Sequence, residues 1–327
     1  GCRFPDSLDR YDPANYEIYG GKNYSCDLMY DKMVKFVEDN ASSPFFLMWT
    51  TTVPHSAVQA PADEVKYYVD KLGDEEPCTN PGMYLPNRYP HATYAAMVTH
   101  IDTQVGKLVK KLKDLGVWDN TIFIVSSDNG PASNGNSPME YFQSGGPFKC
   151  GKGWGKSSLH EGGIRMPFIL HWGNNKNCGR ITRMSSFADL MPTLAEITGV
   201  NAPENDGVSF APTVLAETRG GQRYAKANDM ILAPQRDHEY LYWEFPASKG
   251  WVAVRMGEWK GIVRKVLKGN SEMELYNLND DPQEQNDVAA SHPEIVRSMW
   301  SAVRDSHCDA NPEVPKFCMD INYPDSL

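Results

Sequence analysis

The sequence predicts an α/β fold in which a mostly parallel central sheet is flanked by helices, with a smaller C-terminal antiparallel sheet plus helix. The first observation is the order of a strand pattern at Phe45–Thr51, a helix pattern at Tyr94–Leu115 and a second strand pattern from Thr121. Strand, helix, strand is the order of the right-handed crossover that joins parallel strands. The second observation is that beyond about Leu215 short strand patterns separated by turn residues replace this alternation, which is typical of an antiparallel sheet.

The N-terminal elements follow from local patterns. Gly1–Ser25 is rich in Tyr, Asp, Pro and Gly and is expected to be irregular. Asp27–Asn40 repeats apolar residues at helical spacing and predicts an amphipathic helix. The strand at Phe45–Thr51 leads into Pro54-His55 and then into a loop rich in Pro and Gly from Pro61 to Pro90. Because long loops above a sheet often shape binding pockets, we expect this loop to border a site.

The remaining elements complete two predicted domains. Tyr94–Leu115 carries one apolar stripe and predicts a long helix, and Pro167–Trp172 and Asp189–Thr198 predict a strand and a helix. Four short strands and a closing helix follow, at Tyr240–Phe245, Trp251–Met256, Trp259–Val263, Glu274–Asn277 and His292–Ser306. We assign residues 1–215 to the α/β domain and residues 216–327 to a small α+β domain.

Length, charge and cysteine content narrow the class of protein. The chain has 327 residues, enough for about two domains, and no apolar run approaches the roughly 20 residues of a membrane helix. A net charge of -10 argues against a nucleic-acid partner, because phosphate backbones are bound by Lys and Arg clusters. The seven cysteines lack metal-type spacing. Cys308 and Cys318 flank a short loop and could form one disulfide, which would suit an oxidising compartment.

A strand that ends in acidic and amide side chains is the first candidate site. The run that begins at Thr121 stops at Asp128-Asn129-Gly130-Pro131. Ligands gather at the carboxyl ends of parallel strands, so Asp128 and Asn129 stand where a site is expected. Their oxygens suit Ca²⁺ or, less well, Mg²⁺, and zinc is disfavoured because no His or Cys lies at coordinating spacing. The alternative is that Asp-Asn-Gly-Pro is turn chemistry alone.

A cationic segment follows this loop. Lys156–Pro167 supplies Lys156 and His160, and cations beside a metal loop imply an anionic substrate. Arg165 is expected to pair with a local carboxylate rather than with substrate. Gly151–Ser157 also has some features of a phosphate-binding loop, but Cys150 occupies the position of the first glycine that this motif requires, and no strand leads directly into it. We therefore reject a nucleoside triphosphate site.

The two segments together carry a specific resemblance. Ser-Asp-Asn-Gly-Pro followed by Gly-Lys-x-x-x-x-Glu-Gly-Gly-Ile-Arg-x-Pro resembles the second half of a type I sulfatase, in the arylsulfatase A-like group of the alkaline phosphatase superfamily. Further matches are Pro44-Phe45-Phe46-Leu47 with Pro54-His55, Tyr94-Ala95-Ala96-Met97 with Ile101-Asp102, and Leu275-Tyr276-Asn277-Leu278 with Asp281-Pro282. The resemblance runs through nearly the whole chain. It implies the alkaline phosphatase/sulfatase-like fold and an exported protein, periplasmic or extracellular in a bacterium and lysosomal or secreted in a eukaryote.

The resemblance also implies roles for individual residues. It gives Asp128 and Asn129 as two ligands of a calcium ion. It gives Lys156 and His55 as catalytic residues that contact the sulfate of the substrate. A lysine placed between the sulfate and the leaving oxygen is chemically sensible, because it can stabilise the departing alkoxide or protonate it.

Other residues are weaker candidates. Extra residues precede Lys156 relative to the family pattern, which leaves Lys149 and Lys152 as alternatives for the sulfate contact. Relatives bring the region of His238 and Glu244 close to the pocket, so these two residues are candidates for recognising a sugar. The alternative is that they belong to a structural strand at the domain junction.

The nucleophile of the family is missing. The family carries Cys or Ser in the pattern Cys/Ser-x-Pro-x-Arg, matured to formylglycine, and no such pattern occurs in the chain. The paired aspartates that complete the metal site are absent as well, and both features lie upstream in relatives. The sequence also opens without an initiator methionine. We therefore expect a fragment, with its formylglycine upstream, that is inactive by itself.

Three functional hypotheses are consistent with these residues. The first hypothesis is a sulfuric ester hydrolase that removes sulfate from a sulfated carbohydrate or an aryl sulfate, so the expected partner is a sulfated small molecule or glycan. The second is a phosphodiesterase or phosphonate hydrolase of the same superfamily, although the segment from the lysine to Gly-Gly favours sulfate. The third is a non-catalytic remnant that binds sulfated glycans, for which the lost nucleophile is the only support.

Overall fold

The structure is a computed structural model that describes residues 2–82, 84–133, 135–173, 179–219, 222–227, 230–231, 234–308 and 319–324. The chain divides into two compact units. The first comprises Gly1–Gly146, Cys150–Lys156 and Met166–Gly173, and the second comprises Pro147–Lys149, Ser157–Arg165 and Asn174–Leu327. The predicted boundary near Leu215 lies inside the second unit, so domains 1–215 and 216–327 stay a prediction. Cys308 is a free thiol, so the disulfide predicted between Cys308 and Cys318 is not observed; Cys318 itself lies outside the described residues.

The described part of the first unit contains three α-helices and a two-stranded sheet. The elements are α1 (Ser25–Asn40), α2 (Ala62–Leu72), α3 (Pro90–Asp114), β1 (Ile122–Ser126) and β2 (Phe168–Trp172). The helices predicted from Asp27 and from Tyr94 are confirmed, and each begins a few residues earlier than the apolar pattern does.

The early start of α3 has a local cause. Pro90 opens the helix at a position that needs no hydrogen-bond donor. The carboxylate of Glu75 accepts hydrogen bonds from the backbone N–H groups of His91 at 2.9 Å and Ala92 at 3.0 Å. A negative charge at the positive end of the helix dipole stabilises this terminus. The cap comes from the loop that precedes the helix, so the apolar pattern alone does not show it.

The core of the first unit lies between α1 and α3. Met33 and Val37 of α1 pack with Leu108 and Leu112 of α3. Three side chains of the segment predicted as the first strand, Phe45, Leu47 and Trp49, pack against the same core. This core fixes the position of the segment that leads to Pro54-His55.

The strand predicted at Phe45–Thr51 requires a correction. Its side chains alternate between partly buried and exposed, but its residues join no sheet among the described residues. β1 pairs with β2 in antiparallel register, from Ile122 opposite Trp172 to Ser126 opposite Phe168. A crossover connection joins strands of one sheet, and Phe45–Thr51 has no paired neighbour in the described chain. The parallel crossover expected between this segment and β1 is therefore not formed there.

The described part of the second unit contains four α-helices and two antiparallel sheets. The helices are α4 (Glu161–Ile164), α5 (Leu190–Thr198), α6 (Ala211–Val214) and α7 (Pro293–Ser306). The strands are β3 (Ala216–Arg219), β4 (Gln222–Ala227), β5 (Met230–Ile231), β6 (Leu241–Phe245), β7 (Trp251–Met256), β8 (Trp259–Arg264) and β9 (Met273–Asn277). β3 to β5 form a three-stranded sheet, and β6 to β9 form a four-stranded meander. The four strands predicted after Leu215, and the helix predicted at His292–Ser306, are confirmed.

One face of the meander packs on α7. Val252, Val254 and Leu275 of the sheet contact Met299 and Val303 of the helix, and all five are buried. A glycine makes this approach possible in β8, because a Cβ at Gly261 would lie 2.5 Å from the Sδ atom of Met299. This is the antiparallel sheet with a closing helix that the sequence predicts. No helix among the described residues is both long and apolar enough to cross a membrane.

Candidate functional site

The loop after β1 exposes its acidic side chain. Asp128 is exposed, and its carboxylate has no hydrogen bond or ion pair with a described residue. The backbone around it is ordered by short local bonds: the hydroxyl of Ser127 donates to the carbonyl oxygen of Asn129 at 3.0 Å, and the Nδ2 of Asn129 donates to the carbonyl of Gly130 at 3.0 Å. Because Asn129 uses its amide nitrogen in this way, its Oδ1 remains available as a second oxygen ligand beside Asp128.

The lysine segment is bonded to this same loop. The backbone N–H of Lys156 donates to the carbonyl oxygen of Pro131 at 2.8 Å, two residues beyond Asn129. The preceding residue must be glycine, since a Cβ at Gly155 would lie 2.4 Å from that carbonyl oxygen and 2.5 Å from the Sδ of Met139. Close packing of the two backbones therefore holds the backbone of Lys156 beside the loop of Asp128 and Asn129.

The three closely spaced lysines differ in their surroundings. Lys152 is exposed, whereas Lys156 is partly buried. The ammonium group of Lys156 has no hydrogen bond or ion pair with a described residue. Lys149 belongs to the second unit. Of the three, Lys156 is the residue whose backbone is tied to the loop of Asp128, which favours it as the cation of this site.

His55 lies in the first unit with these loops. Its side chain is exposed, and its Nδ1 lies 2.9 Å from the carbonyl oxygen of Ser56. A bond to this carbonyl makes Nδ1 the protonated nitrogen and leaves Nε2 for a ligand. The ring also makes an edge contact with Tyr84, at 5.8 Å between centroids. No hydrogen bond or ion pair within the described chain joins His55 to Asp128, Asn129 or Lys156.

The two candidates for sugar recognition lie in the second unit and have internal partners. The Nε2 of His238 lies 2.7 Å from an oxygen of Asp189, which is fully buried. Glu244 accepts hydrogen bonds from the hydroxyl of Tyr242 and from the ring of His307, the latter at 2.6 Å. These contacts are those of a structural network. A role in sugar recognition stays a prediction for both residues.

A buried ionic cluster in the second unit extends beyond the single pair, that of Arg165 with a local carboxylate, which the sequence predicts. Lys260 of β8 is fully buried and donates to Glu161 at 2.9 Å, and Glu161 also pairs with Arg165 at 3.0 Å and with Arg255 at 3.3 Å. Burial alone would raise the pKa of Glu161, but the charges of Lys260 and Arg255 outweigh it and lower that pKa to about 2. The expectation that Arg165 pairs with a local carboxylate is confirmed.

The side-chain oxygens of Asp128 and Asn129 are the type of ligand that a hard cation prefers. Two side chains are, however, too few to complete its coordination sphere. Calcium takes six to eight oxygen ligands, and two side chains supply only part of such a set. Within the described residues no group of three or more His, Cys, Asp and Glu side chains is placed to hold a metal ion. The residues present thus fit one side of a calcium site whose remaining ligands they do not provide.

Comparison with known families gives two matches. The Sulfatase family model matches residues 3–200. The model described as N-sulphoglucosamine sulphohydrolase, C-terminal, matches residues 152–308. The first match contains the loops of Asp128 and Lys156, and the two matches together leave little of the chain outside them.

Curated relatives are similar over most of the chain. Human N-acetylgalactosamine-6-sulfatase is 27% identical over 292 residues, which cover 84% of this chain and 50% of the human protein. The mouse protein of the same name is 33% identical over 257 residues, covering 74% and 44%. N-acetylgalactosamine-6-O-sulfatase of Bacteroides thetaiotaomicron is 25% identical, covering 84% and 49%. The chain therefore spans about half the length of the curated relatives it matches.

Solved structures show the same α/β fold. Ps i-CgsB in complex with k-i-k-neocarrahexaose has 26% sequence identity and a TM-score of 0.66, covering 87% of this chain and 55% of that one. BT4656 in complex with its substrate D-glucosamine-2-N,6-O-disulfate has 19% identity and a TM-score of 0.61 and shows the fold alone. The α/β class predicted from the sequence is thereby confirmed.

Proposed function

The chain belongs to the sulfatase family, and from that premise we propose that it is part of an enzyme that hydrolyses sulfate esters of a sulfated carbohydrate. The observation that supports this most directly is the hydrogen bond from the backbone N–H of Lys156 to Pro131, which joins the cationic segment to the loop of Asp128 and Asn129. An anion bound at this junction would meet an ammonium group on one side and oxygen ligands for a cation on the other. Hydrolysis of a sulfate ester needs both features.

Each residue has a distinct task in this proposal. Asp128 and Asn129 hold part of the coordination sphere of Ca²⁺, which when bound supplies positive charge against the sulfate oxygens. Lys156 places its ammonium at the ester oxygen, where it stabilises or protonates the leaving alcohol as the sulfur–oxygen bond breaks. His55 offers Nε2–H to a sulfate oxygen when its ring is protonated. The chain contains no Cys/Ser-x-Pro-x-Arg pattern, so the nucleophile has to come from outside these residues.

The proposed substrate is a sulfated carbohydrate rather than an aryl sulfate. Three relatives are named as sulfatases of an amino sugar, which supports this choice, and a solved structure of the fold holds a sulfated glucosamine. An exported location, as expected for an enzyme that meets extracellular or lysosomal glycans, is part of the same proposal.

Expressing the complete reading frame that encodes the chain tests the proposal. Sulfate release from N-acetylgalactosamine 6-sulfate is followed by ion chromatography, and hydrolysis of a phosphodiester and of a phosphonate monoester is measured in parallel. We expect sulfate release to exceed both other activities. Faster phosphodiester or phosphonate hydrolysis would favour the second hypothesis. Binding of the sulfated sugar without turnover, in a protein that lacks Cys/Ser-x-Pro-x-Arg throughout, would favour the binding remnant.

A further inference from the structure

The connection between α2 and α3, which the sequence predicts to border a site, contains a closed loop. The N–H of Cys78 donates to the carbonyl oxygen of Asn87 at 2.8 Å, and the N–H of Asn87 donates to that of Cys78 at 3.0 Å. Residues 78–87 therefore form a loop whose two ends are paired with each other. Because the ends are fixed, the backbone between them has fewer conformations than an open connection has.

Two side chains at the end of this loop attach it to the rest of the first unit. The Nδ2 of Asn87 donates to the carbonyl oxygen of Val58 at 2.7 Å. Arg88, which is 6% exposed, donates to the carbonyl oxygens of Tyr11 and Glu75, each at 2.8 Å. Loop 78–87 is therefore bonded to the N-terminal region, to the start of its own connection and to the segment of Val58.

The segment of Val58 also contacts the loop of the candidate site. Val58 lies three residues beyond His55 and is 3% exposed. A Cβ at Gly135 would lie 2.7 Å from the Cγ2 of Val58, so this side chain packs directly on the backbone of Gly135. Gly135 follows Asp128 in the same loop, and all these residues belong to the first unit. The segment that carries His55 is thus in contact with loop 78–87 and with the loop of Asp128.

Tyr84 of loop 78–87 lies beside the histidine of the candidate site. Its ring contacts the ring of His55, with 5.8 Å between the centroids and 70° between the planes. Tyr84 is only partly buried, and its hydroxyl group has no hydrogen bond with a described residue. An aromatic surface and a phenol hydroxyl are therefore both available to a ligand that binds at His55.

We propose that Tyr84 binds the sugar ring of the sulfated substrate, while His55 contacts the sulfate group of the same molecule. A pyranose ring has a face of C–H groups that packs on aromatic rings, and its hydroxyl groups can bond to a phenol hydroxyl. Tyrosine provides a large contact surface at a low cost in conformational entropy. This inference rests on the function proposed above and deepens it, because it names a residue that distinguishes a sulfated sugar from sulfate alone.

A purely structural role for Tyr84 predicts a different result. If the ring only oriented His55, its loss would weaken the contact with the sulfate group itself. The affinity for inorganic sulfate and the kcat for the sugar would then fall together with the affinity for the sugar. If Tyr84 binds the sugar ring, its loss weakens binding of the sulfated sugar and leaves inorganic sulfate unaffected.

Steady-state kinetics of the product of the complete reading frame tests the proposal. Tyr84→Ala should raise KM for N-acetylgalactosamine 6-sulfate about tenfold, with kcat within about threefold and the inhibition constant of inorganic sulfate within about twofold of wild type. Tyr84→Phe keeps the ring and should leave KM within about threefold. Tyr67→Ala is the matched control, because Tyr67 is 52% exposed on α2 and contacts Tyr68 and Lys71 of the same helix. It should leave all three constants unchanged.

Several outcomes would overturn the proposal. An unchanged KM in Tyr84→Ala is one, and an inhibition constant of sulfate that rises in parallel with KM is another. A larger rise in KM for 4-nitrophenyl sulfate than for the sugar would make Tyr84 a site for aryl rings instead. If Tyr84→Ala lowers the melting temperature by more than about 2 °C, Tyr84→Leu decides, because leucine still fills the space beside His55. It should raise KM for the sugar at least about threefold.

Calorimetric titration separates this inference from the proposed function. A wild-type product that releases no sulfate would refute the proposed function, and the affinities of the same product then test Tyr84 by themselves. Tyr84→Ala should raise Kd for N-acetylgalactosamine 6-sulfate about tenfold and leave Kd for inorganic sulfate within about twofold. An equal Kd for the sugar in variant and wild type, or no binding of the sugar to wild type, would overturn the inference.

Discussion

Replacing Glu161 with glutamine should destabilise the second unit strongly. Glu161 is 1% exposed and is the shared partner of Lys260, Arg165 and Arg255. Lys260 is fully buried, so Glu161→Gln leaves an ammonium without a counter-charge inside the protein. Removing one partner of a buried ion pair typically costs about 3–5 kcal/mol. The variant keeps the shape of the side chain, so the loss reflects charge.

The pKa of Glu161 gives the size of this stability loss in a second way. Its pKa is lowered from 4.5 to about 2, and a shift of this size corresponds to about 3 kcal/mol of stability. Since the folded pKa is depressed, this stability is fully present above pH 4.5 and is lost as the pH falls toward 2. The difference between wild type and Glu161→Gln should therefore shrink over the same range.

Urea unfolding at pH 7 and at lower pH measures this difference. Tryptophan fluorescence follows the unfolding of both units, and the signal from the second unit comes from four of the eight tryptophans, among them the buried Trp251 and Trp300. Glu258→Gln is the matched control, since Glu258 is exposed in the turn between β7 and β8 and its replacement should change the free energy of unfolding by less than about 0.5 kcal/mol. A loss below about 1 kcal/mol at pH 7 for Glu161→Gln, or a loss that does not change with pH, would refute the reasoning.

Three further predictions concern the loops of the proposed site. In the product of the complete reading frame, Lys156→Ala should lower kcat for sulfate release at least about 100-fold, whereas Lys152→Ala should change it little; the reverse order would move the role to Lys152. Asp128→Asn should abolish the rise in melting temperature that calcium produces in this product, and a rise that persists would remove Asp128 from the metal site. Gly155→Ala should destabilise the first unit by about 1–3 kcal/mol in urea unfolding, because its Cβ would lie 2.4 Å from a backbone oxygen. Gly106→Ala, at a helical site with open space around it, should instead be neutral or stabilising, and equal effects of the two would contradict the steric argument.

The helices and the C-terminal meander are predictable because the regular spacing of their apolar residues lies within each element and is visible in the sequence. The run from Phe45 to Thr51 also carries a strand signal, but pairing needs a neighbour, and residue pattern cannot show which segment lies beside it. The antiparallel register of β1 and β2 escaped prediction for the same reason. Direction of pairing is a property of tertiary structure.

The residues of the site and of the buried ionic cluster also differ in whether the sequence alone could predict them. Asp128, Asn129 and Lys156 are recognisable because motif spacing carries them, and the bond between Lys156 and Pro131 agrees with that spacing. The cluster of Glu161 and Lys260 could not be foreseen. A lysine in a strand pattern is normally assigned to the solvent face, and only the packed sheet shows that Lys260 is fully buried.

Residues 44–51, whose backbone groups bond to no described residue, also bear on how the isolated chain will behave in solution. This backbone, with Phe46 and Met48 exposed beside it, forms a short apolar tract that can recruit unrelated strands and promote aggregation. Yields of the 327-residue polypeptide should therefore fall steeply with concentration and temperature. A lysine at position 46 or 48 would act as a gatekeeper and keep the polypeptide in the supernatant.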